Sequence, residues 1–335
     1  MSRKRGLIVA IALAMLMVSS RAVEAQDFEL AMVIKETTNP YYNATLAGAL
    51  MAAEEIGGTA KNYGPTQSSG EAQIAIINNL ADRRVAAIAV APSDPNAVAP
   101  AMKCAQRIGS KVITFDADAA VEARPFFVNQ ATTDSVGRFG AVRLAEVMDN
   151  KGKVAIVSAQ PTAANQNAWI AAFRGELSKP ADQKIEIVDE VYGYDNEQKA
   201  FDLTVALTTK YPDLAGIYAP TCPGLPAVAR ALESVGKGNG AIKLAGMCVP
   251  SITAEYMLDG TIQVFYLWDP IKLGYITYYA AKLFAEGKID GKPGDSFTID
   301  AGNKWPGTYQ ILPNGEIITG DPLQYTEANY KEHAY

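Results

Sequence analysis

The chain predicts an α/β fold of two doubly wound parallel-sheet lobes, and three observations carry that expectation. Short apolar runs rich in Val, Ile and Ala alternate with longer segments of helical period along most of the chain. The runs are uninterrupted rather than alternating apolar with polar, the pattern of strands covered on both faces by helices. At 126–128 an apolar run gives way to the polar Asn129-Gln-Ala-Thr-Thr-Asp134, and a second strand–helix series starts at Lys153. A chain of 335 residues exceeds what one core usually covers, so the break reads as a boundary between lobes.

The first expected strand is 30–34, which opens into Lys35-Glu-Thr-Thr-Asn39-Pro-Tyr41-Tyr42. A helix follows at 42–56, with Leu46, Ala49, Leu50, Ala53 and Ile56 on one face. Strands at 85–91, 112–115 and 126–128 complete the first series, and those at 154–158, 185–191, 216–219, 242–247 and 262–267 form the second. Leu267-Trp268-Asp269-Pro270 precedes a strong helix at 271–286 that is expected to return to the first lobe. The polar, Gly-rich stretch after Gly291 holds short strands at most. The lobes are therefore drawn as 26–130 with about 267–295, and 131–266 with about 296–335.

Residues 1–25 read as an export signal. Arg3, Lys4 and Arg5 precede an apolar stretch at 6–18, and Val23-Glu24-Ala25 fits the small-x-small cleavage rule. The stretch is too short to span a bilayer, and no cysteine follows it to take a lipid anchor. Cleavage near Ala25 removes four of the 30 basic and one of the 36 acidic residues, taking the net charge from −6 to −9. Such a surface argues against nucleic acid as a partner. The single histidine, His333, leaves little for His-based catalysis or a His-rich metal site, so no cofactor, no metal and no enzymatic activity are expected.

In open parallel sheets, ligands bind beyond the carboxyl ends of the strands. That rule selects Lys35 and Asn39, Asp116, the stretch from Gln160 to Gln166, Pro220 to Cys222, Cys248, and Trp268-Asp269. These residues are mostly hydrogen-bonding or aromatic, which suits a sugar. Carboxylates and amides serve the hydroxyl rim of a pyranose, and aromatic rings cover its C–H faces. Asp116, Asn165, Gln166 and Asp269 are the rim candidates, with Tyr41, Tyr42, Trp169 and Trp268 for the faces.

Each candidate has a structural alternative. Asp116 could cap a helix, although Asp118 is at hand for that. Asn39-Pro40 is also a turn and helix start, and both roles can hold. Of Tyr41 and Tyr42, one is expected on the ligand and one in the core. Trp169 competes with core packing and Trp268 with packing at a hinge. Cys222 and Cys248 follow successive strands, which permits a disulfide; the preferred picture is two soft side chains at the pocket wall. Gly236-Lys-Gly238-Asn-Gly240 lies between a helix and a strand, the reverse of a dinucleotide loop.

The segment 35–42, Val-Ile-Thr-Phe-Asp116, Asn165-Gln166-Asn167-Ala-Trp169, Ala219-Pro220-Thr221-Cys222 and Leu267-Trp268-Asp269-Pro-Ile-Lys-Leu-Gly274 together resemble the type I periplasmic sugar-binding proteins of ABC importers. The likeness is to the branch with rhamnose-binding and autoinducer-binding members. It implies two lobes joined by a three-strand hinge and one sugar held between them. It also implies delivery to a permease in the inner membrane, and it admits a chemoreceptor as a second reader of the closed form. Carried onto this chain, the ligand set is Asn39, Tyr41, Tyr42, Asp116, Trp169, Thr221, Cys248 and Trp268. The autoinducer-binding pattern falls instead on Lys35, Asp116, Asn165, Gln166, Pro220 and Cys222.

Two positions depart from that autoinducer pattern, Asn165 where the relatives have Asp and Cys222 where they have Ala. These departures favour rhamnose or another deoxy sugar, with capture of a furanose-type quorum signal as the alternative. A repressor of the same fold would need a basic helix-turn-helix in place of the export signal. An exported hydrolase would need Asp116 and Asp269 as its acid and base.

Overall fold

The computed structural model describes residues 28–179 and 184–333, so the export signal lies outside the described residues. β1 (Glu29–Val33) is buried along nearly its whole length because it runs through the middle of a sheet. It pairs in parallel with β2 (Thr59–Tyr63) on one side and β3 (Ala87–Val90) on the other. β4 (Lys111–Phe115), β5 (Phe127–Asn129) and β13 (Glu316–Ile318) extend that sheet in parallel. Its order is β13-β5-β4-β3-β1-β2.

The second sheet repeats the plan. Its strands are β6 (Lys151–Ser158), β7 (Lys184–Tyr192), β8 (Leu214–Ala219), β9 (Lys243–Met247), β10 (Val264–Leu267) and β14 (Leu323–Tyr325), in the order β14-β10-β9-β8-β6-β7. β14 alone among these runs antiparallel, against β10. β11 (Ser296–Ile299) and β12 (Gly307–Gln310) form a separate hairpin. In each lobe the order of strands reverses beside the first strand, between β1 and β3 and between β6 and β8. Loops diverge at such switch points and leave a crevice.

Two helices cross between the lobes. After β5 the chain enters α4 (Thr133–Val147), which packs on α5 (Ala164–Leu177), the first helix of the second lobe. After β10 it enters α9 (Pro270–Ala285), which packs on α1 (Tyr41–Ile56), the first helix of the first lobe. The other helices, α2 (Gly70–Asp82), α3 (Pro95–Ile108), α6 (Glu197–Lys210), α7 (Gly224–Ser234) and α8 (Pro250–Leu258), complete the strand–helix alternation. A Cβ on Gly48 would run into the Ile271 carbonyl, and one on Gly274 into that of Thr45. Glycine at both positions is what lets the backbones of α1 and α9 touch. Gly137 does the same for α4 against the Trp169 carbonyl.

The structure corrects the sequence reading in three places. The expected apolar face of α1 is rotated: Leu50 is 38% exposed, while Ala44, Thr45, Gly48, Ala49, Ala52 and Ala53 are buried. Close helix crossing selects small residues, and hydropathy periodicity weights large ones. β2 was not expected, because Thr-Ala-Lys-Asn-Tyr is an edge strand without an apolar run. The tail does hold short strands, but β13 joins the first sheet, and Trp305 and Asn303 pack on Tyr275 and Tyr279 of α9. Residues 296–318 therefore belong with the first lobe, and the chain returns to the second only at β14.

Three segments join the lobes, at 130–132, 268–269 and 319–322. Two are tied together, since Thr319 Oγ1 donates to the Gln130 carbonyl at 3.1 Å. Gly274→Val, which places a branched side chain at the α1–α9 crossing, is expected to cost about 2 kcal/mol or more in urea unfolding, as overpacking against backbone does.

Candidate functional site

The crevice lies where the two switch points face each other. A cavity with about 410 Å³ of empty space, solvent at its mouth included, is lined from both lobes. Lys35 and Asn39 reach it from the loop after β1, Tyr41 and Tyr42 from the start of α1, and Asp116 from the end of β4. From the other lobe come Asn165, Gln166 and Trp169 at the start of α5, and Pro220, Thr221 and Cys222 after β8. Trp268 enters from a crossover segment.

Asp116 organises the first-lobe side. Its backbone is left-handed, with φ at 62°, a conformation uncommon for a residue other than glycine. The buried carboxylate accepts from the Tyr41 and Tyr42 hydroxyls, each at 3.0 Å. Trp268 Nε1 donates to the Tyr41 hydroxyl at 2.9 Å, so one chain of hydrogen bonds runs from the crossover segment to the carboxylate. Burial raises the Asp116 pKa, opposed by Lys35 and by both phenols. Burial and Asp116 hold Tyr42 well above the usual tyrosine range, so its hydroxyl stays a donor.

The rings close the cavity around this chain. Tyr41 and Trp268 meet edge to face at 6.0 Å, and Trp268 lies 5.3 Å from Trp169 of the second lobe. Both tyrosines line the cavity and bond Asp116 while their rings are also buried in the core. Lys35, though buried, donates across the gap to Asn165 Oδ1 at 3.0 Å. Asn165 Oδ1 also accepts from the Gln166 backbone at 3.0 Å. Gln166 Oε1 is buried with no partner, an acceptor left open toward an incoming donor. Thr162 and Gln160 add contacts between the lobes, to the Ser93 carbonyl and the Ser68 hydroxyl.

Two predicted residues lie outside the cavity. Asp269 caps α9, its Oδ1 accepting from the Lys272 backbone at 3.0 Å, so it does not join Asp116 as a second carboxylate. Cys248 is fully buried and forms a disulfide with Cys222, where the sequence reading preferred two free thiols. The parallel pairing of β8 with β9 brings the two cysteines to strand ends with a Cα separation of 4.1 Å. Asn39 lines the cavity, and its Oδ1 accepts from the Tyr41 backbone at 3.1 Å, the turn and helix-start role expected of it.

Three lining residues escaped the sequence reading: Asp195, Met247 and Leu267. Asp195 follows β7 in a Gly-Tyr-Asp-Asn turn, and the strand-end rule applied to that strand would have found it. Met247 and Leu267 are the last residues of β9 and β10 and closed the expected strands 242–247 and 262–267 without being marked for the cavity.

A family described as periplasmic binding protein domain matches residues 30–289. The chain belongs to that family. Its structural neighbours are sugar-binding components of ABC importers, as the resemblance implied. An ABC transporter solute-binding protein from Clostridium phytofermentas with bound L-rhamnose is 31% identical, covering 92% of this chain and 98% of the other at a TM-score of 0.86. A sugar ABC transporter protein from Actinomyces odontolyticus is 34% identical over 92% and 98% of the two chains, with a TM-score of 0.71. LsrB from Clostridium saccharobutylicum, in complex with AI-2, shares the fold at a TM-score of 0.84 and 21% identity, covering 92% and 100%. Members of this family work outside the cytoplasm beside a membrane permease.

The disulfide closes a loop across the second-lobe wall of the cavity, and replacing both Cys222 and Cys248 by Ser is expected to lower stability by about 3 kcal/mol in urea unfolding. Wild-type protein unfolded under reducing conditions should lose a similar amount.

Proposed function

We propose that this protein captures a neutral 6-deoxy hexose, of which L-rhamnose is the type, between its lobes in the periplasm and delivers it to an ABC permease. The observation that carries the reading is how the cavity lining divides. β8, β9 and β10 are adjacent in the second sheet, and their ends set Pro220, Cys222, Met247 and Leu267 side by side. With its sulfur in a disulfide, Cys222 offers no S–H, and the Thr221 hydroxyl between it and Pro220 is already donated to Asp195, so this wall presents no uncommitted side-chain donor. Lys35, Asn39, Asp116, Asn165, Gln166, Asp195 and Thr221 supply the polar remainder.

A hexose with hydroxyls around most of its rim and a methyl at one corner fits that division. The polar groups satisfy the rim, the indole and phenol rings cover C–H faces, and the methyl meets the sulfur-lined wall. A hydroxyl placed there would be buried without a partner. The L-rhamnose bound by the Clostridium phytofermentas relative supports the same choice.

Both lobes contribute contacts, so only the closed form gains the full interaction, and the sugar shifts the equilibrium toward closure. The permease then reads the closed shape. The chemistry is binding and release, with no covalent step. The expected export signal supports the periplasmic location.

Calorimetry with monosaccharides tests the reading. L-Rhamnose should bind about 10- to 100-fold tighter than L-mannose, which differs by one hydroxyl at the methyl position. Equal affinities would refute the apolar-wall argument. Mass spectrometry of ligand released from purified protein separates a deoxy hexose from a furanose-type quorum signal. Replacing Asp116 by Ala should abolish binding while leaving the fold intact by circular dichroism.

A further inference from the structure

The strand ends of the second lobe grade in polarity across its sheet. β10, β9 and β8 deliver the apolar wall of Leu267, Met247, Cys222 and Pro220, whereas the next two strands, β6 and β7, lead to amides and an acid. That acid is Asp195, the only charged side chain that the described residues of the second lobe bring to the cavity. Its Oδ1 accepts from the hydroxyl of Thr221, which stands between Pro220 and Cys222. The carboxylate is thereby tied to the edge of the apolar wall.

No structural duty accounts for this carboxylate. An Asp just ahead of a helix is ordinarily its cap, but α6 is capped by Asn196, whose Oδ1 accepts from the Lys199 backbone at 2.8 Å. Asp195 is half-buried, and the Thr221 hydroxyl is the one hydrogen-bond donor to its carboxylate among the described residues. Its Oδ2 is therefore uncommitted, unlike the oxygens of Asp116, which each accept from a tyrosine. Burial raises the Asp195 pKa and Asp116 adds to the rise, while Lys35 and the Thr221 hydrogen bond oppose it and favour the ionised, accepting form. What the site lacks at this point is a donor from the ligand.

The chemistry of the sugar says which donor. In a 6-deoxy hexopyranose the carbon that bears the methyl has two ring neighbours, the ring oxygen and the carbon that carries the 4-hydroxyl. With the methyl against the sulfur-lined wall, a group at the edge of that wall meets one of these two. The ring oxygen has no hydrogen to give, and the 4-hydroxyl has one. We infer that Asp195 is a specificity-determining residue that accepts the hydrogen bond of the sugar's 4-hydroxyl. The inference rests on the deoxy-hexose reading and fixes how the ring lies within it. Because Asp195 belongs to the second lobe, the bond is completed when the lobes close. A sugar without that hydroxyl, or with it on the other face of the ring, leaves a desolvated carboxylate short of a partner and is rejected.

Calorimetry with L-rhamnose, its 2-deoxy and 4-deoxy derivatives and its 4-epimer, 6-deoxy-L-talose, tests the assignment. Wild-type protein should bind 4-deoxy-L-rhamnose and 6-deoxy-L-talose about 10- to 100-fold more weakly than L-rhamnose. Asp195→Gly removes the side chain at a φ of 52°, which glycine adopts freely, so the fold should persist by circular dichroism. In that variant the preference for L-rhamnose over its 4-deoxy derivative should shrink to about threefold or less, while the preference over the 2-deoxy derivative stays as in the wild type. Should Asp195→Gly fail to fold, Asp195→Asn keeps the shape, drops the charge and should weaken the same preference.

Equal wild-type affinities for L-rhamnose and 4-deoxy-L-rhamnose overturn the inference and leave the sugar reading standing. So does a full 4-position preference in a folded Asp195→Gly protein, or an equal loss at the 2-position, which marks a general disturbance of the site. Wild-type protein that binds none of these sugars removes the sugar reading and this inference together.

Discussion

The buried carboxylate of Asp116 is the constraint on which the rest of the site depends. A charge at the end of an internal strand is costly to desolvate, and here two phenol hydroxyls and a nearby lysine offset the cost. Hydrogen bonds to a charged acceptor contribute roughly 1.5–3 kcal/mol each. They also fix where Tyr41 and Tyr42 point. Through the Tyr41 hydroxyl the same carboxylate reaches the indole of Trp268, on a segment that passes between lobes. A single acid therefore orients three of the four rings around the cavity and couples the first lobe to its hinge.

The exchange of helices between lobes explains how such precise contacts survive a moving gap. α4 and α9 each leave one sheet and pack on the first helix of the other lobe, through glycines that bring backbones into contact. Each lobe is thereby packed through its own crossing helix, and three short segments join the two. Trp268 sits on one of them and touches Trp169 and Tyr41, one from each lobe.

Polarity is distributed by the same topology. Lys35, Asp116 and Asp195 come just after β1, β4 and β7, and Asn165 lies at the start of α5, so polar groups stand at these strand and helix ends. β8, β9 and β10 end abruptly, so their last residues form the floor, and the bridge between Cys222 and Cys248 seals it.

Much of this was legible in the linear chain. Uninterrupted apolar runs separated by helical periods determined two parallel-sheet lobes, since such strands are stable only when covered on both faces. The strand-end rule reached Lys35, Asp116, Asn165 and Thr221, because the residue after a buried strand must emerge at the sheet's edge. Tertiary structure decided what depends on neighbours distant in sequence. β2 and β13 carry no apolar run of their own and exist because an adjacent strand edge accepts their backbones. Asp269 turned from ligand candidate to helix cap, since its nearest unpaired donor is the Lys272 backbone. Cys222 met Cys248 only because β8 and β9 pair in register. Lys35 and Asp116 came to line one cavity with Asn165 and Asp195 because the two switch points face each other, a relation between lobes that no local pattern encodes.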